Sequence, residues 1–466
     1  MLKNVVIIGA GPAGYSAAFR LADNNINVTL IDTRAGLGGT CLYEGCIPSK
    51  SLLHTTSAAC NVNNAPLFYG NIKINKDILL KNVSNIIRTN AEGLKKLAEC
   101  KNISFIQGTA KIGSNNTVEV QKFNDEVEIL KSDVIVIATG SSPSHLPCIN
   151  LSSGIWTSSD AISMDTIPNR FLVIGAGYIG MELATIYARL GSLVTIIEME
   201  EQMLPGIDSD LLLPLKKSIS PLFKNIYLNS KVNNIEYKNN SFDVKIETSA
   251  GLVTDTFDRV LLSVGRRADT NALGNINIDK DNHGFIKTSN FFETSLKGIY
   301  AIGDVRGNPL LAHKASKEGI LLAEHLLGRG GSPIDVIIPS VVYTEPEIAT
   351  VGKTLKSIKE EGIDYQILRF PWSMSGRAVA EGNTNGLTRI VVEPKSGKIL
   401  GAGITGAHAG ELISQLTLAI KNNLTVYDLE DIVQPHPTFS ETISECAAMF
   451  EGRCLYIHHH KKGRLL

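Results

Sequence analysis

Hydrophobic and polar residues follow the same pattern at two places in the chain. Residues 4–9 form an unbroken apolar run, which is typical of a strand buried inside a parallel sheet. A helical pattern covers residues 11–24, and a second apolar strand, residues 28–31, ends at Asp32. The same order of strand, glycine turn, helix and strand returns over residues 171–198. This repetition predicts two βαβ units and therefore two dinucleotide-binding domains.

The segments outside these two units predict other loops, helices and strands. Residues 66–100 read as a loop followed by a helix, and further strands are predicted at residues 103–107, 134–138 and 300–305, with a helix at 312–327. The last ~125 residues contain a hairpin whose turn lies at residues 395–397, followed by helices near 409–421 and 440–450. The expected fold class is α/β, with two Rossmann-like domains and a C-terminal α+β module.

Composition narrows the function classes. The chain has 466 residues, of which 43% are hydrophobic and 20% charged. Its formal charge of −1 argues against a nucleic-acid binder, which usually carries a basic face. No apolar stretch approaches the ~18 residues of a membrane span. The seven cysteines are too few and too scattered for a secreted disulfide scaffold.

The N-terminus resembles a signal peptide only loosely. One lysine precedes an apolar run, but that run already contains the first glycine turn, so its removal would destroy a fold element. We therefore expect no export and no organellar presequence. A bacterial cytoplasmic location is favoured over the mitochondrial matrix.

The first glycine turn has the spacing of a dinucleotide site. Gly9, Gly11 and Gly14 follow a strand and open a helix, where they permit a tight turn and the close approach of a pyrophosphate. Asp32, at the end of the next strand, is placed to bind a ribose. Two further strands end in small or acidic residues that would serve the same site. These residues are Thr139, Gly140, Ser141 and Asp304.

The second turn predicts a nicotinamide nucleotide. Gly175, Gly177 and Gly180 repeat the spacing, and Glu198 ends the next strand. A carboxylate there suits the free 2′-hydroxyl of NAD, and no arginine stands nearby to meet the 2′-phosphate of NADP. Two such sites in one chain suggest a bound flavin that exchanges electrons with NAD.

Cys41 and Cys46 are the one pair of cysteines close enough in sequence to act together. On an ideal helix their Cα atoms would be about 8.6 Å apart, whereas a disulfide needs roughly 4.4–6.8 Å. The pair can bridge only where the helix is distorted, and nearby glycines and a proline provide such irregularity. Zinc binding and two unrelated buried thiols remain alternatives.

At this point the chain resembles the FAD-dependent pyridine nucleotide–disulfide oxidoreductases over nearly its whole length. Within that family it is similar to the branch that oxidises dihydrolipoamide with NAD⁺. The resemblance is carried by GGTCLYEGCIPSK (38–50), LAHKASKEG (311–319), IPSVVYTEPEIATVG (338–352) and HPTFSE (436–441). It implies a FAD domain in residues 1–149 and 271–338, an NAD domain in 150–270 and a dimerisation domain in 339–466.

The resemblance also implies roles for individual residues. Cys41 would exchange with substrate, Cys46 would face the flavin, and Lys50 and Glu182 would flank its ring system. The residues implied to line FAD are those from Asp32 to Cys41, with Ala110, Thr139, Gly140, Ser141, Asp304, Leu310, Leu311, Ala312 and His313. The residues implied to line NAD are those from Gly175 to Glu182, with Glu198, Val232 and Gly265.

His436 is the candidate base. A dithiol must lose a proton before it can attack a disulfide, and an imidazole is suited to accept that proton near neutral pH. Glu441, five residues on, could hold the other ring nitrogen. Without the resemblance, a loop histidine before a proline is the simpler interpretation. With it, His436 is expected to reach the cysteines of the other subunit of a homodimer.

The implied partners are lipoyl domains and core subunits of 2-oxoacid dehydrogenase or glycine cleavage complexes. The alternatives are a glutathione- or mercuric-reductase-like enzyme and a flavoprotein docking subunit with weak catalysis. Tyr43 and Glu44 depart from the family pattern, and Glu44 would disfavour a thiolate if it faced the cysteines. Tyr178 and the loop at Gln434 also depart from it. The histidine-containing tail is expected to be solvated.

Overall fold

The apolar run at the N-terminus forms a buried strand, as its unbroken hydrophobic character predicts. The computed structural model describes residues 2–64, 70–146, 154–330 and 336–457. In chain order, its first elements are β1 (Asn4–Ile8), α1 (Pro12–Ala22), β2 (Asn27–Asp32), α2 (Gly39–Glu44), α3 (Cys46–Asn64), α4 (Lys76–Cys100), β3 (Ser104–Ile112), β4 (Thr117–Lys122), β5 (Val127–Lys131), β6 (Val134–Ile137) and β7 (Ser141–Pro143).

The second glycine turn lies in a separate parallel sheet. The elements of this region are β8 (Ile155–Trp156), α5 (Ser158–Ser163), β9 (Arg170–Ile174), α6 (Tyr178–Arg189), β10 (Leu193–Ile197), α7 (Ser209–Ile219), β11 (Asn225–Tyr227), β12 (Lys231–Lys238), β13 (Ser241–Thr248), β14 (Gly251–Phe257), β15 (Arg259–Leu262) and β16 (Arg266–Ala268). Five of the strands pair in the order β11-β10-β9-β15-β8, all parallel.

An antiparallel sheet of β12, β13 and β14 covers that parallel sheet, and the sequence analysis missed it. Phe242, Val244 and Ile246 of β13 form one core with Leu172 and Ile174 of β9. Because alternate residues of a strand face the same side, the spacing of these three apolar residues was the available signal.

The chain then returns to the first sheet. β17 (Ile299–Ala301) pairs with β6, which gives the strand order β17-β6-β1-β2-β3-β4-β5. α8 (Ala312–Leu326) follows and packs on α1. A Cβ at Gly319 would lie 2.4 Å from the carbonyl oxygen of Ala13, so this close helix contact requires the glycine.

The C-terminal region is an antiparallel sheet with helices, as predicted. Its elements are β18 (Ser340–Val342), β19 (Glu347–Gly352), α9 (Leu355–Glu360), β20 (Gln366–Pro371), α10 (Gly376–Glu381), β21 (Leu387–Val392), β22 (Ile399–Gly406), α11 (Ala409–Lys421), α12 (Val426–Glu430) and α13 (Glu441–Ala448). The strand order is β18-β19-β22-β21-β20, and β21 and β22 form the predicted hairpin. The core of this region is built around Trp372, which is fully buried.

The predicted fold class is confirmed: two sheets that each contain a βαβ unit with a glycine turn are joined to an α+β module. The predicted boundary between residues 149 and 150 and the histidines of the tail lie outside the described residues. Among the helices that the structure describes, none has the length and apolar character needed to cross a membrane.

Candidate active site

The three glycines of the first turn have two different tasks. Gly9 adopts a φ of +105°, and a Cβ there would lie 2.2 Å from the carbonyl oxygen of Ala138. A Cβ at Gly14 would lie 1.9 Å from the carbonyl oxygen of Gly9, so both glycines are needed for packing. Gly11 is different, because its Cβ would meet only the Cα of Gly39 at 3.7 Å. The backbone at Gly11 is therefore open to a ligand.

The second turn repeats this arrangement. Gly175 has a φ of +101°, and its Cβ would lie 2.5 Å from the carbonyl oxygen of Ser263. A Cβ at Gly180 would lie 2.0 Å from the carbonyl oxygen of Gly175, whereas one at Gly177 would meet nothing within 4 Å. An open middle glycine at a helix N-terminus is what a pyrophosphate requires, so both turns fit a dinucleotide.

In each glycine turn, a carboxylate from the end of the next strand accepts a hydrogen bond from the backbone of the turn. Oδ2 of Asp32 accepts a hydrogen bond from the backbone N–H of Ala10 at 2.8 Å, and Oε2 of Glu198 accepts one from Ala176 at 2.7 Å. In both cases the second carboxylate oxygen accepts the N–H of the residue two positions on, at 2.9 and 3.0 Å. Both side chains are thus held at the carboxyl end of their strand, where a nucleotide ribose binds in such folds.

One large cavity connects the first turn with residues of the second nucleotide-binding unit. It contains ≈ 1110 Å³ of empty space, including its open mouth. Tyr178 and Glu182 of α6 line it together with both cysteines. The other predicted residues that line it are Gly9, Gly11, Asp32, Arg34, Gly39, Thr40, Lys50, Thr139, Gly140, Ser141, Ile179, Asp304, Leu310 and Ala312.

A polar network joins three strand ends at the cavity. Ser141 donates its hydroxyl to Asp304 at 2.6 Å, and Arg266 donates to the same hydroxyl at 2.7 Å. The hydroxyl of Thr139 donates to the carbonyl oxygen of Asp269 at 2.5 Å. The sequence analysis missed Arg266, although its place after the β15 strand could have indicated it.

A buried lysine supports the backbone that carries Asp304. Nζ of Lys314 donates to the carbonyl oxygens of Gly303 and Gly307, at 3.3 and 2.7 Å. Glu318 accepts the N–H of Gly303 at 2.7 Å and lies 3.4 Å from Nζ of Lys314. Burial lowers the pKa of Lys314 from its ordinary value. The lysine of LAHKA therefore contributes to the site through its contacts with backbone carbonyls.

The two cysteines lie on either side of a helix break. Cys41 belongs to α2 and Cys46 is the first residue of α3, with Gly45 between the two helices. Both carry free thiols in this structure. A hydrogen bond from the Cys41 thiol lowers the pKa of Cys46 to about 7, with help from Lys50 and against the effect of burial. The same hydrogen bond, together with burial, raises the pKa of Cys41.

Lys50 and Glu182 form an ion pair beside these thiols. Nζ of Lys50 lies 2.8 Å from Oε2 of Glu182, whose side chain is only 5% exposed. Oε1 of Glu182 accepts the backbone N–H of Tyr343 at 3.1 Å, and Nζ of Lys50 lies 4.5 Å from the ring centroid of Tyr343. The segment that leads into the C-terminal sheet thus contacts both partners of the pair.

The structure shows the environment of Glu44 and Tyr178, two residues that depart from the family pattern. Glu44 pairs with Arg34 at 2.7 Å and accepts the hydroxyl of Ser159 at 3.0 Å, so its charge is balanced by the arginine. Tyr178 lines the cavity at the start of α6, where burial raises its pKa to about 12.

His436 and Glu441 are paired but lie outside the lining of this cavity. Nδ1 of His436 lies 2.7 Å from Oε1 of Glu441, and Oε2 accepts the backbone N–H of Thr438 at 2.7 Å. The imidazole is 72% exposed. With an ionised Glu441, Nδ1 donates and Nε2 remains free to accept a proton.

Other predicted residues are not among those that line the cavity. Ala110 of β3 is buried in a core cluster with other strands of the first sheet, and Val232 packs against the core of the second unit. His313 contacts the carbonyl oxygen of Pro339 at 2.7 Å, and Leu311 is the N-cap of α8. Gly265 has a φ of +108° and accepts the N–H of Ser144.

Comparison with known families agrees with this geometry. Residues 3–319 match the family described as pyridine nucleotide-disulphide oxidoreductase, and residues 338–447 match its dimerisation domain. The chain belongs to this family. It is thus an oxidoreductase acting on a sulfur group, and its family supports the FAD and NAD predicted from the sequence. The dimerisation domain supports a homodimer.

Its curated relatives include dihydrolipoyl dehydrogenases. The protein of that name from Buchnera aphidicola of Schizaphis graminum is 40% identical, over 99% of this chain and 98% of the relative. The one from Haemophilus influenzae is 36% identical, over 96% and 95%. Among solved structures, LpdA from Mycobacterium tuberculosis superposes with a TM-score of 0.89 at 26% identity, covering 96% of this chain and 99% of that one.

Proposed function

We propose that this chain oxidises dihydrolipoamide with NAD⁺, through a Cys41–Cys46 disulfide and FAD. One observation carries the proposal: a single cavity brings the redox cysteines together with the first glycine turn and with α6 of the second. An electron pair taken from a dithiol therefore has a short path between two nucleotide sites. Dihydrolipoyl dehydrogenases at 36–40% identity over nearly the whole chain support this choice of substrate.

The substrate half-reaction uses the chain's own groups. Nε2 of His436 removes a proton from one substrate thiol, and Glu441 stabilises the resulting imidazolium. The substrate thiolate attacks Sγ of Cys41, the Cys41–Cys46 bond breaks, and Cys46 leaves as a thiolate. The second substrate thiol attacks the substrate sulfur of the mixed disulfide, the bond to Sγ of Cys41 breaks, and the proton of that thiol passes to the departing Cys41 sulfur. Lipoamide is released, and the enzyme now holds the electron pair as two reduced cysteines.

Cys46 is suited to be the leaving and electron-donating sulfur. It stands at the N-terminus of α3, next to the ammonium of Lys50 and the thiol of Cys41, and all three favour a thiolate. When bound, FAD supplies the two-electron relay between this sulfur and NAD⁺. Asp32 and the backbone at Gly11 would hold FAD, whereas Glu198 and the backbone at Gly177 would hold NAD.

We further propose a lipoyl group on a carrier domain of a 2-oxoacid dehydrogenase or glycine cleavage complex as the physiological substrate. The bacterial relatives support a bacterial cytoplasmic location. We also propose that His436 serves the cysteines of the partner subunit. Its exposure and its position outside the cavity lining support a role across a dimer interface.

The test is steady-state reduction of NAD⁺ by dihydrolipoamide with the purified flavoprotein. Rapid NADH formation is expected, with loss of activity in Cys41→Ser. Cys100→Ser is the matched control, because Cys100 is exposed and lies at the end of α4. Activity only with NADPH and glutathione disulfide would contradict the proposal. A fully bound flavin without either activity would favour a docking subunit.

A further inference from the structure

A hydrogen bond from the 199–207 loop fixes the peptide group that joins Ala176 to Gly177. The carbonyl oxygen of Ala176 accepts the backbone N–H of Leu204 at 2.8 Å. A trans peptide group is planar, and its C=O and N–H point in opposite directions, so this bond also sets the direction of the Gly177 N–H. Gly177 is the open glycine of the second turn. Leu204 therefore orients the donor that stands at the proposed pyrophosphate site.

The first turn has the same contact at the same spacing. The carbonyl oxygen of Ala10 accepts the N–H of Gly38 at 2.8 Å. Gly38 follows Asp32 by six residues. Leu204 follows Glu198 by the same number. Both residues have a positive φ, +129° for Gly38 and +50° for Leu204. This backbone region suits glycine and costs a leucine free energy, so Leu204 keeps it only because its surroundings hold it there.

The 199–207 loop is held at two places near Leu204. The first is the side chain of Leu204 itself, which is 3% exposed and belongs to the core of the second unit. The second is Asp208, four residues further on, at the N-cap position of α7. Between them, the N–H of Ile207 donates to the carbonyl oxygen of Leu204 at 3.1 Å and closes a short turn. A displacement of Asp208 is therefore transmitted through this turn to Leu204.

The carboxylate of Asp208 contacts the C-terminal module and does not cap its own helix. Both of its oxygens accept the backbone N–H of Leu355, the first residue of α9, at 3.2 Å. Oδ2 also accepts a hydrogen bond from Nη1 of Arg389 in β21 at 2.7 Å. The side chains of Arg389 and Asp208 are only 2% and 11% exposed. Because separation would leave a buried charge uncompensated, this ion pair holds Asp208 in one position.

We propose that Asp208 is a positioning residue for the nicotinamide nucleotide: by tying the 199–207 loop to the C-terminal module, it keeps the N–H of Gly177 in the direction that a pyrophosphate requires. The inference rests on the proposed function only in placing NAD at the second turn. When Asp208 is released, Leu204 can leave its unfavourable φ, and the Ala176–Gly177 peptide group is free to rotate. NAD⁺ binds the molecules in which this peptide group is correctly oriented, so its apparent affinity falls with their fraction.

A positional effect and a purely electrostatic effect have opposite signs. The pyrophosphate of NAD⁺ is doubly charged, so removal of a nearby carboxylate would by itself tighten binding. Weaker binding after Asp208→Asn therefore reports a change in the position of the loop. Leu355→Pro tests the same link without a change of charge. Proline lacks the N–H that Asp208 accepts, and it is well tolerated at the first position of a helix.

The experiment measures NAD⁺ binding and the protection of the loop in the oxidised holoenzyme, without turnover. Equilibrium dialysis gives the dissociation constant of NAD⁺, and hydrogen exchange followed by mass spectrometry gives the protection of peptides that cover residues 199–208. Asp208→Asn is expected to raise the dissociation constant about threefold, as for a peptide group that is correctly oriented in about a third of the molecules. Exchange in the loop should become faster. Leu355→Pro is expected to shift both quantities in the same direction by a smaller factor.

Asp210→Asn is the matched control. Asp210 lies two residues further along, in the first turn of α7, and its carboxylate pairs with the same Arg389 at 3.0 Å and with Arg369 at 2.8 Å. The substitution removes one charge from the same cluster and leaves both contacts of Asp208 in place. The dissociation constant of NAD⁺ and the exchange of the loop should therefore stay at their wild-type values.

A dissociation constant that stays level or falls in Asp208→Asn would overturn the inference, as would an equal rise in Asp210→Asn. Should Asp208→Asn fail to fold, Leu355→Pro decides in its place. Glu198→Gln separates the inference from the site assignment. If Glu198→Gln weakens NAD⁺ binding and the loop variants do not, the positioning role alone fails.

If neither Glu198→Gln nor the loop variants weaken NAD⁺ binding, the assignment of NAD to the second turn fails as well. A wild-type enzyme that shows the expected pattern of NAD⁺ binding without oxidising dihydrolipoamide would sink the proposed function and leave the positioning role standing.

Discussion

Asp32 and Glu198 make the same contact in the two halves of the molecule. Each carboxylate accepts the N–H that follows the first glycine of its turn, at 2.8 Å for Asp32 and 2.7 Å for Glu198. The two side chains differ by one methylene and stand at the ends of β2 and β10. The same geometry is therefore available at the two proposed nucleotide sites, and each site can be tested separately.

Glu198→Gln is expected to weaken the binding of NAD⁺ and to leave the reduction of the flavin unchanged. The amide keeps an acceptor for Ala176 but loses the charge that suits a ribose 2′-hydroxyl, so KM for NAD⁺ should rise about tenfold, which is about 1.4 kcal/mol. Anaerobic reduction of the flavin by dihydrolipoamide, followed by stopped flow, should keep its rate. Glu200→Gln is the control, because Glu200 is exposed. Equal effects of the two substitutions would contradict the assignment.

Substitution of an open glycine and of a packed glycine in the second turn should have different effects, one on NAD⁺ binding and the other on stability. Gly177→Ala meets open space, so thermal stability should be retained while KM for NAD⁺ rises several-fold through a clash with the pyrophosphate. Gly180→Ala places a methyl 2.0 Å from the Gly175 carbonyl oxygen, so the protein itself should be destabilised, by more than about 2 kcal/mol. Calorimetry and NAD⁺ titration separate the two. Equal melting temperatures would contradict the packing argument.

The Cys46 thiolate should give the reduced enzyme a pH dependence near neutrality. Its pKa of about 7 lies below that of an unfolded thiol, so ionisation of Cys46 stabilises the reduced fold at high pH. That stabilisation is fully present above about pH 8.5 and is lost as the pH falls through about 7. The long-wavelength absorbance of the reduced holoenzyme is expected to follow the fraction of Cys46 present as a thiolate. Its pH titration should therefore have the same midpoint. Lys50→Met should move this midpoint upward, whereas Lys317→Met, at an exposed lysine of α8, should leave it unchanged.

His436 should matter for one half-reaction only. His436→Ala is expected to lower kcat/KM for dihydrolipoamide by about 10²–10⁴, the usual range for a general base. NADH oxidation by an artificial one-electron acceptor needs no thiol deprotonation and should keep its rate. Glu441→Gln should have a smaller effect of the same kind. His283→Ala provides the control at an exposed histidine. A similar loss in both assays would refute the role of His436 as a base.

The sequence predicted elements where periodicity is strong and turns are explicit. Helix α11 was expected at residues 409–421 and is found there, since its apolar residues recur at helical spacing. The two glycine turns could be recognised from the sequence because the strand, the turn and the acidic residue lie within about thirty residues of one another. Contacts between residues that are distant in sequence could not be predicted. No local pattern pairs Glu44 with Arg34 and Ser159, or brings Glu345 to Ser57, because those partners are chosen by tertiary packing.

The place of β17 in the first sheet has a consequence for how the protein is made. β6 ends at Ile137 and its neighbour β17 begins at Ile299, about 160 residues later. At the usual ~5–20 residues per second, a ribosome needs roughly 10–30 s to cover that distance. During this interval β6 exposes an unpaired apolar edge, which is a template for aggregation. Asp304, too, has not yet been synthesised. On the predicted assignment of Asp304 to the FAD site, the nascent chain completes that site only after residue 304 has been synthesised. A shortage of riboflavin should therefore impair folding at a late stage of translation.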